Sequence, residues 1–151
     1  MAIIDALNEI ADAVALGAGT GRRVVGSQID LGSVVRNIGV GKPVWVVIRV
    51  DTAFTSGGAT DVTFELVSDS TAALATDGSS SIHYASAAIP KATLVAGYQI
   101  VIQLPQGLPA YERYLGLLAN VATTALDTGK VDCFLTFDQP EAWKSYADAS
   151  N

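Results

Sequence analysis

Most of the chain alternates apolar and polar residues with a period of two, which is the pattern of half-buried antiparallel strands. From residue 44 to 51 every even position is aliphatic, whereas the odd positions change from Trp45 to Asp51. Glycine-rich and serine-rich turns separate the alternating segments, so about seven or eight strands are predicted in a sandwich or barrel. Besides 44–51, the alternating segments are 24–31, 61–69, 82–88, 98–104, 111–121 and 131–137.

The N-terminal segment has a different spacing of apolar residues. Over residues 3–16 this spacing is helical, and Gly17 ends the pattern. We therefore predict an amphipathic arm over residues 1–21 ahead of a domain over residues 22–151. The arm packs either on its own domain or on a neighbouring subunit. The apolar positions of the predicted helix face are Ile3, Leu7, Ile10 and Val14.

The C-terminal segment also carries a helix signal. Asp138 followed by Glu141 forms a capping box, which predicts a short helical turn with Trp143 and Tyr146 on one side. These two aromatic residues serve either to close the core or to anchor an interface.

Composition narrows the class of protein. Of the 151 residues, 50% are hydrophobic and only 16% are charged, which indicates apolar surface buried between subunits. The formal charge is -6, and Arg22 and Arg23 form the sole cluster of basic residues, which argues against binding nucleic acid. The longest uncharged stretch, residues 92–111, contains glycine and proline residues that break a transmembrane helix. No secretory signal is evident, so synthesis in the cytoplasm without membrane contact is expected.

The residue types that perform catalysis are scarce. His83 is the single histidine, and no G-x-S-x-G motif accompanies it. Cys133 occupies an inward strand position, where a buried thiol is expected. The glycine-rich segment 17–21 does not open a helix, so we interpret it as a hinge and not a phosphate loop. We expect a protein that is not an enzyme and has no cofactor or metal, although Asp61, Asp69 and Asp127 lie near turns where calcium can bind.

Six longer segments follow one another in order over most of the chain from residue 24 onward. They are VVGSQIDLG at 24–32, IGVGKPVWVVIRVDTAF at 38–54, AIPKATLVAGY at 88–98, YERYL at 111–115, GKVDCFL at 129–135 and QPEAWKSY at 139–146. Together they resemble the capsid cement, or decoration, proteins of tailed bacteriophages related to the one on the Bordetella phage head, whereas residues 3–21 depart from the family pattern.

This resemblance implies a jelly-roll sandwich that forms homo-oligomers, dimers or trimers, and binds the outer surface of the major capsid protein lattice. The expected location is the outside of the phage head, after synthesis in the host cytoplasm. The family supplies no catalytic residues. We predict subunit or capsid contacts through the arm and the C-terminal aromatics, with the two arginines available to an acidic capsid patch. The predicted contact residues are Ile3, Ile4, Leu7, Ile10, Arg22, Arg23, Trp143 and Tyr146.

Two other functions remain open from the residues. A jelly-roll module that binds a receptor or carbohydrate requires exposed aromatic side chains on a concave face, drawn from Trp45, Tyr84, Tyr98 and Tyr111. A small hydrolase requires two close carboxylates in a cleft, such as Asp30 and Asp51.

Overall fold

The computed structural model describes residues 6–33, 38 and 41–137, which form two antiparallel sheets packed face to face. Among these residues the helical structure is a single 3-10 turn, Ala6–Asn8. The described residues therefore contain no helix that is long and apolar enough to cross a membrane. The strands are β1 (Glu9–Ala15), β2 (Gly21–Asp30), β3 (Trp45–Thr55), β4 (Asp61–Asp69), β5 (Ser81–Ala85), β6 (Ile89–Pro90), β7 (Gln99–Gln103), β8 (Tyr114–Val121) and β9 (Thr128–Thr136).

The order of the strands is that of a jelly roll. Sheet A has the order β1-β9-β3-β7, and sheet B has the order β2-β8-β4-β5, with β6 also paired to β4. The first half of the chain pairs with the second, because β1 pairs with β9, β2 with β8, β3 with β7 and β4 with β5. The chain is therefore one long antiparallel hairpin rolled into two sheets. This confirms the predicted all-β sandwich and the jelly roll that the resemblance implies.

The core lies between the sheets and is built from alternate residues of the strands. Strand β4 has the predicted bounds, and Val46, Ile48 and Val50 of β3 face inward as predicted. Each inward side chain replaces contact with water by contact with the opposite sheet. Core residues that are 2% exposed or less include Val46, Ile48, Phe64, Leu66, Leu115, Leu117, Val131 and Cys133.

The helix predicted over residues 3–16 is wrong for residues 9–15, which form strand β1 at the edge of sheet A. The register between β1 and β9 shifts at two places, and at the first of them Ile10 and Ala11 are both buried. The bulges bring apolar residues to a spacing that resembles a helical one. Ala13 has a φ of 47°, and its N–H donates to Asp132 Oδ1 at 2.8 Å. The predicted C-terminal helix lies outside the described residues.

Gly26 permits a close approach of β2 to the backbone of β1. Its φ is +71°, and a Cβ at this position would lie 2.0 Å from the carbonyl oxygen of Ile10. A side chain here would therefore meet both an unfavourable backbone conformation and a rigid neighbour. The packing of β1 on the sandwich depends on this glycine.

Substituting Gly26→Ala is expected to destabilise the fold by about 2–5 kcal/mol, from the left-handed conformation together with the backbone clash. Gly97→Ala is the matched control, because Gly97 has a φ of +88° and no atom lies within 4 Å of the position that an added methyl group would take. The control should lose only about 1–2 kcal/mol. Urea denaturation measures both values, and equal losses would contradict the close approach.

Candidate functional site

The predicted contact residues of the N-terminal segment have two different environments. Leu7 is 80% exposed just ahead of β1, whereas Ile10 is 2% exposed and packs in the core of its own sandwich. Of these two predicted contact residues, Leu7 is therefore the one that remains exposed, and its contact with a partner stays a prediction. Ile3, Ile4, Trp143 and Tyr146 lie outside the described residues, so their contacts stay predictions.

Arg22 reaches across the outer face of sheet B to a buried carboxylate. Its Nη2 donates to Glu65 Oε1 at 3.1 Å, and its Nε lies 3.0 Å from Glu65 Oε2 without hydrogen-bond alignment. Glu65 is only 5% exposed, so the ion pair neutralises a charge that burial would otherwise disfavour. A contact of Arg22 with an acidic capsid patch stays a prediction, and it would share the guanidinium with Glu65.

Arg23 holds the glycine-rich loop that joins β1 to β2. Its Nη1 donates to the carbonyl oxygens of Leu16, Gly17 and Ala18 at 2.5, 3.2 and 3.3 Å. The loop thus turns carbonyl oxygens, and not N–H groups, toward a charge. These carbonyl oxygens suit the Arg23 guanidinium, which ties the glycine-rich segment predicted as a hinge to β2. The proposed role of Arg23 toward an acidic partner stays a prediction.

The segment between β4 and β5 covers the outer face of sheet B. Asp69 organises it by accepting the N–H of Thr71 at 3.0 Å and the N–H of Ala75 at 3.1 Å. These hydrogen bonds hold the pKa of Asp69 below its usual value. Leu74 packs over Gly116 in a cluster with Val67 and Leu118, so the chain itself covers this part of the face.

Ser68, His83 and Glu112 form a polar network that includes the single histidine. Ser68 Oγ lies 2.7 Å from His83 Nε2 and accepts the N–H of Glu112 at 2.9 Å. The His83 ring also stacks on Tyr111, with centroids 3.8 Å apart. Ser68 is 0% exposed, so the hydroxyl group is closed to a substrate. The network joins β4, β5 and the segment before β8.

Burial shifts the pKa values of His83, of its stacking partner Tyr111 and of the Cys133 thiol. Burial lowers the pKa of His83, and the nearby Glu112 carboxylate opposes that shift. Burial also raises the pKa of Tyr111 to about 12. The pKa of Cys133 is raised by burial as well, so the thiol stays protonated, as its inward strand position predicts.

The structure separates the carboxylates that the sequence offered for catalysis or calcium. Asp30 ends β2 in sheet B, where Arg113 donates to both its oxygens at 2.9 and 2.8 Å and lowers its pKa to about 2. Asp51 belongs to β3 in sheet A, so the two acids lie on different sheets. Within the described part of the chain, no three His, Cys, Asp or Glu residues group as a metal site.

The aromatic residues considered for a carbohydrate platform do not share one exposed face. Tyr111 is 8% exposed and donates its hydroxyl group to Pro105 O at 2.7 Å. Tyr84 and Tyr98 pack against the core from opposite sheets, while Trp45 is half-buried on the outer face of sheet A. The predicted platform is therefore not assembled from these four residues.

One end of the sandwich exposes apolar side chains. The start of β1, the end of β7 and the end of β9 lie together at this end. Leu108 is 96% exposed after β7, and Phe137 is 55% exposed after β9. The Lys42 ammonium lies 4.7 Å from the Phe137 ring centroid. An apolar cavity of about 160 Å³ opens beside Phe137. Together with Leu7, these residues form the apolar end of the molecule.

Sequence reasoning missed a second apolar surface on the outer face of sheet A. There Val47 is opposite both Val101 on β7 and Phe134 on β9, and Trp45 lies two residues along β3 on the same face. Val47 is 1% exposed although it points away from the core. The signal was present in β3, where Trp45 and Val47 make the outward positions apolar. We call these four residues the sheet A patch.

The described residues define a jelly-roll module whose buried polar groups stabilise its own loops and strands. Residues 11–135 match the family model described as Bbp16, so the match covers most of the 151 residues. The chain therefore belongs to the Bbp16 family. The family name suggests a protein of a Bordetella phage, and this fits a phage structural protein. A search of the curated proteins found no match.

The Arg22–Glu65 pair should matter far more to stability than the exposed pair of Arg113 with Asp30. Arg22→Met leaves a buried carboxylate without its cation, and we expect a loss of about 2–4 kcal/mol, recovered largely in the double variant with Glu65→Met. Arg113→Met is the matched control and should cost much less, because both partners are nearly half exposed. Equal losses in urea denaturation would contradict this ranking.

The lowered pKa of His83 predicts a loss of stability in mild acid. The unfolded chain protonates His83 near pH 6.5, whereas the folded chain resists protonation, so the free energy of unfolding falls as pH drops below about 6.5. The contribution of His83 to the free energy of unfolding is present in full above that pH. It declines as the pH falls and becomes constant below the pKa that His83 has in the folded chain. Urea denaturation between pH 5 and 7.5 should show a smaller slope for His83→Gln, and an unchanged slope would rule out the histidine as its source.

Proposed function

We propose that this protein is a capsid cement protein, which binds the outer surface of the major capsid protein lattice of a tailed phage and stabilises the head. The observation that carries the proposal is the Bbp16 family match over residues 11–135. The jelly-roll fold supports it, because it supplies a rigid body whose own core is complete between two sheets. The resemblance of the sequence to phage cement proteins points to the same role.

The proposed mechanism is mechanical. A preformed sandwich that spans neighbouring capsid subunits adds contacts that must break together before the shell opens. An interface of this kind needs about 1,000 Å² or more of buried surface. The apolar end supplies suitable side chains, because Leu7, Leu108 and Phe137 are largely exposed there. DNA pressure from inside would then be resisted by the added buried surface outside.

The proposal includes no enzymatic activity, cofactor or metal. It is supported by the burial of Ser68, whose hydroxyl is committed to His83 and the Glu112 N–H. It is supported also by Cys133, whose buried thiol stays protonated. We assign the protein to the outside of the virion, with the major capsid protein and further copies of itself as partners.

Cosedimentation with purified phage heads tests the proposed function. We expect saturable binding to expanded, mature heads and little binding to unexpanded heads, because the lattice outside changes on expansion. Bound heads should also survive heating or osmotic shock better than bare heads. Absence of binding to either kind of head, together with a signal on a glycan array, would overturn the proposal in favour of a carbohydrate-binding module.

Leu7 offers a local test of the N-terminal contact. Leu7→Asp is expected to weaken head binding about tenfold, because it places a charge in an apolar contact. Val95→Asp is the matched control, since Val95 is 53% exposed in the segment between β6 and β7, away from the apolar end. Titration of heads with labelled protein measures both affinities, and equal binding by the two variants would remove Leu7 from the contact.

A further inference from the structure

The apolar end contains a cavity of about 160 Å³ between the two sheets, which we call the end cavity. Both sheets contribute to its wall, because Ile29 belongs to β2 of sheet B and Leu135 to β9 of sheet A. Leu31 and Ile38 also line it, and both are half-buried and pack against the core. The end cavity is therefore an extension of the core that opens at the surface.

The wall of the end cavity suits an aromatic side chain. Its polar members are Asn8 and Thr136, and the other lining residues are apolar. A cavity of about 150 Å³ lined by Leu, Ile and Phe takes up benzene, so the volume matches one aromatic ring. A buried indole N–H needs a hydrogen-bond acceptor, and the amide of Asn8 carries one. These properties favour tryptophan as the occupant.

The chain itself carries a tryptophan shortly after the mouth of the cavity. Phe137 lines the end cavity and is the last described residue, so residues 138–151 continue from this point. Trp143 is six residues beyond Phe137. Six residues span about 9 Å as a helix and up to about 20 Å when extended. Trp143 can therefore reach a cavity that begins at Phe137 in either conformation.

The charges at the mouth favour the same segment. Lys42 is exposed, and its ammonium lies 4.7 Å from the Phe137 ring centroid. Lys42 forms no ion pair with any other described residue. The first charged residues after Phe137 are Asp138 and Glu141. A segment that folds back over Phe137 brings these carboxylates toward an exposed cation, which adds a small favourable term.

We propose that Trp143 fills the end cavity of its own chain, so that residues 138–151 close one end of the sandwich. The indole then adds apolar area to the core. Of the two roles that the sequence leaves open for this residue, the inference selects closure of the core. It does not rest on the proposed function, because Leu7 and Leu108, which are offered there to the capsid, do not line the end cavity.

Tryptophan fluorescence of the full chain without heads tests the contact. The chain has two tryptophans, so Trp45→Phe leaves Trp143 as the reporter. In the folded chain we expect emission at shorter wavelength, and quenching by acrylamide several-fold weaker, than in urea. Adding Leu31→Asp places a charge in the wall and should shift the emission toward that of the unfolded chain. Val95→Asp is the matched control, because Val95 is exposed between β6 and β7. Circular dichroism verifies that each variant folds.

Rescue by indole leaves the wall of the end cavity unchanged. Trp143→Ala should lower the urea midpoint, and added indole should restore part of the loss, because the emptied cavity binds a free aromatic ring. Indole should not move the wild-type midpoint, since Trp143 already occupies the site. Tyr146→Ala is the matched control from the same segment and should show no rescue by indole.

Three results would overturn the inference: a Trp143 spectrum in the folded chain that matches the unfolded one, equal responses of wild type and Trp143→Ala to indole, or rescue of Tyr146→Ala alone. Protection of Trp143 that is lost on dilution would place it in a neighbouring copy, and protection that appears only with heads would place it against the capsid. Both contradict a contact within the chain. A confirmed contact in a protein that binds no heads would refute the proposed function and retain this inference.

Discussion

The structure depends on the burial of alternate residues between the central strands of its two sheets. Strands β3 and β9 of sheet A present Ile48 and Cys133 to the core, and β4 and β8 of sheet B present Phe64 and Leu117, each 2% exposed or less. This apolar contact is the main favourable term available to a chain without a disulfide. The edge strands, the loops and both outer faces are positioned by it. A change in strand register would turn these side chains outward, so the outer surfaces are fixed along with the core.

Strands whose residues alternate with a period of two are predicted correctly from the sequence. Strands that depart from this alternation are predicted with the wrong type or the wrong bounds. Strand β4 has its predicted bounds, because Val62, Phe64 and Leu66 alternate with more polar residues. Strand β1 was predicted as a helix, since its bulges alter the spacing of its buried residues. The predicted strand over residues 82–88 ends early, because β5 stops at Ala85 and the next residue, Ser86, accepts the Phe64 N–H with its Oγ. Such breaks depend on partners distant in the chain, which periodicity does not reveal.

The candidate surfaces were harder to predict than the fold, because they depend on which strands become neighbours. Arg22 was identified as a potential contact, but its partner Glu65 lies 43 residues away and two strands across. The sheet A patch required the register that aligns Val47 with Phe134. Leu7 was predicted from its helix face, yet the structure exposes it ahead of a strand. Residue type identified these groups, and only topology determined what they contact.

The apolar end of the sandwich supports a role in assembly. Leu74 covers Val67 and Leu118 on the outer face of sheet B, whereas the apolar end leaves Leu7, Leu108 and Phe137 largely exposed. Electron cryomicroscopy of heads with and without the added protein tests the central claim most directly. The account predicts jelly-roll density on the outside of the shell, in contact with the major capsid protein lattice. Density confined to the tail or to the interior, or no added density at saturating protein, would contradict it.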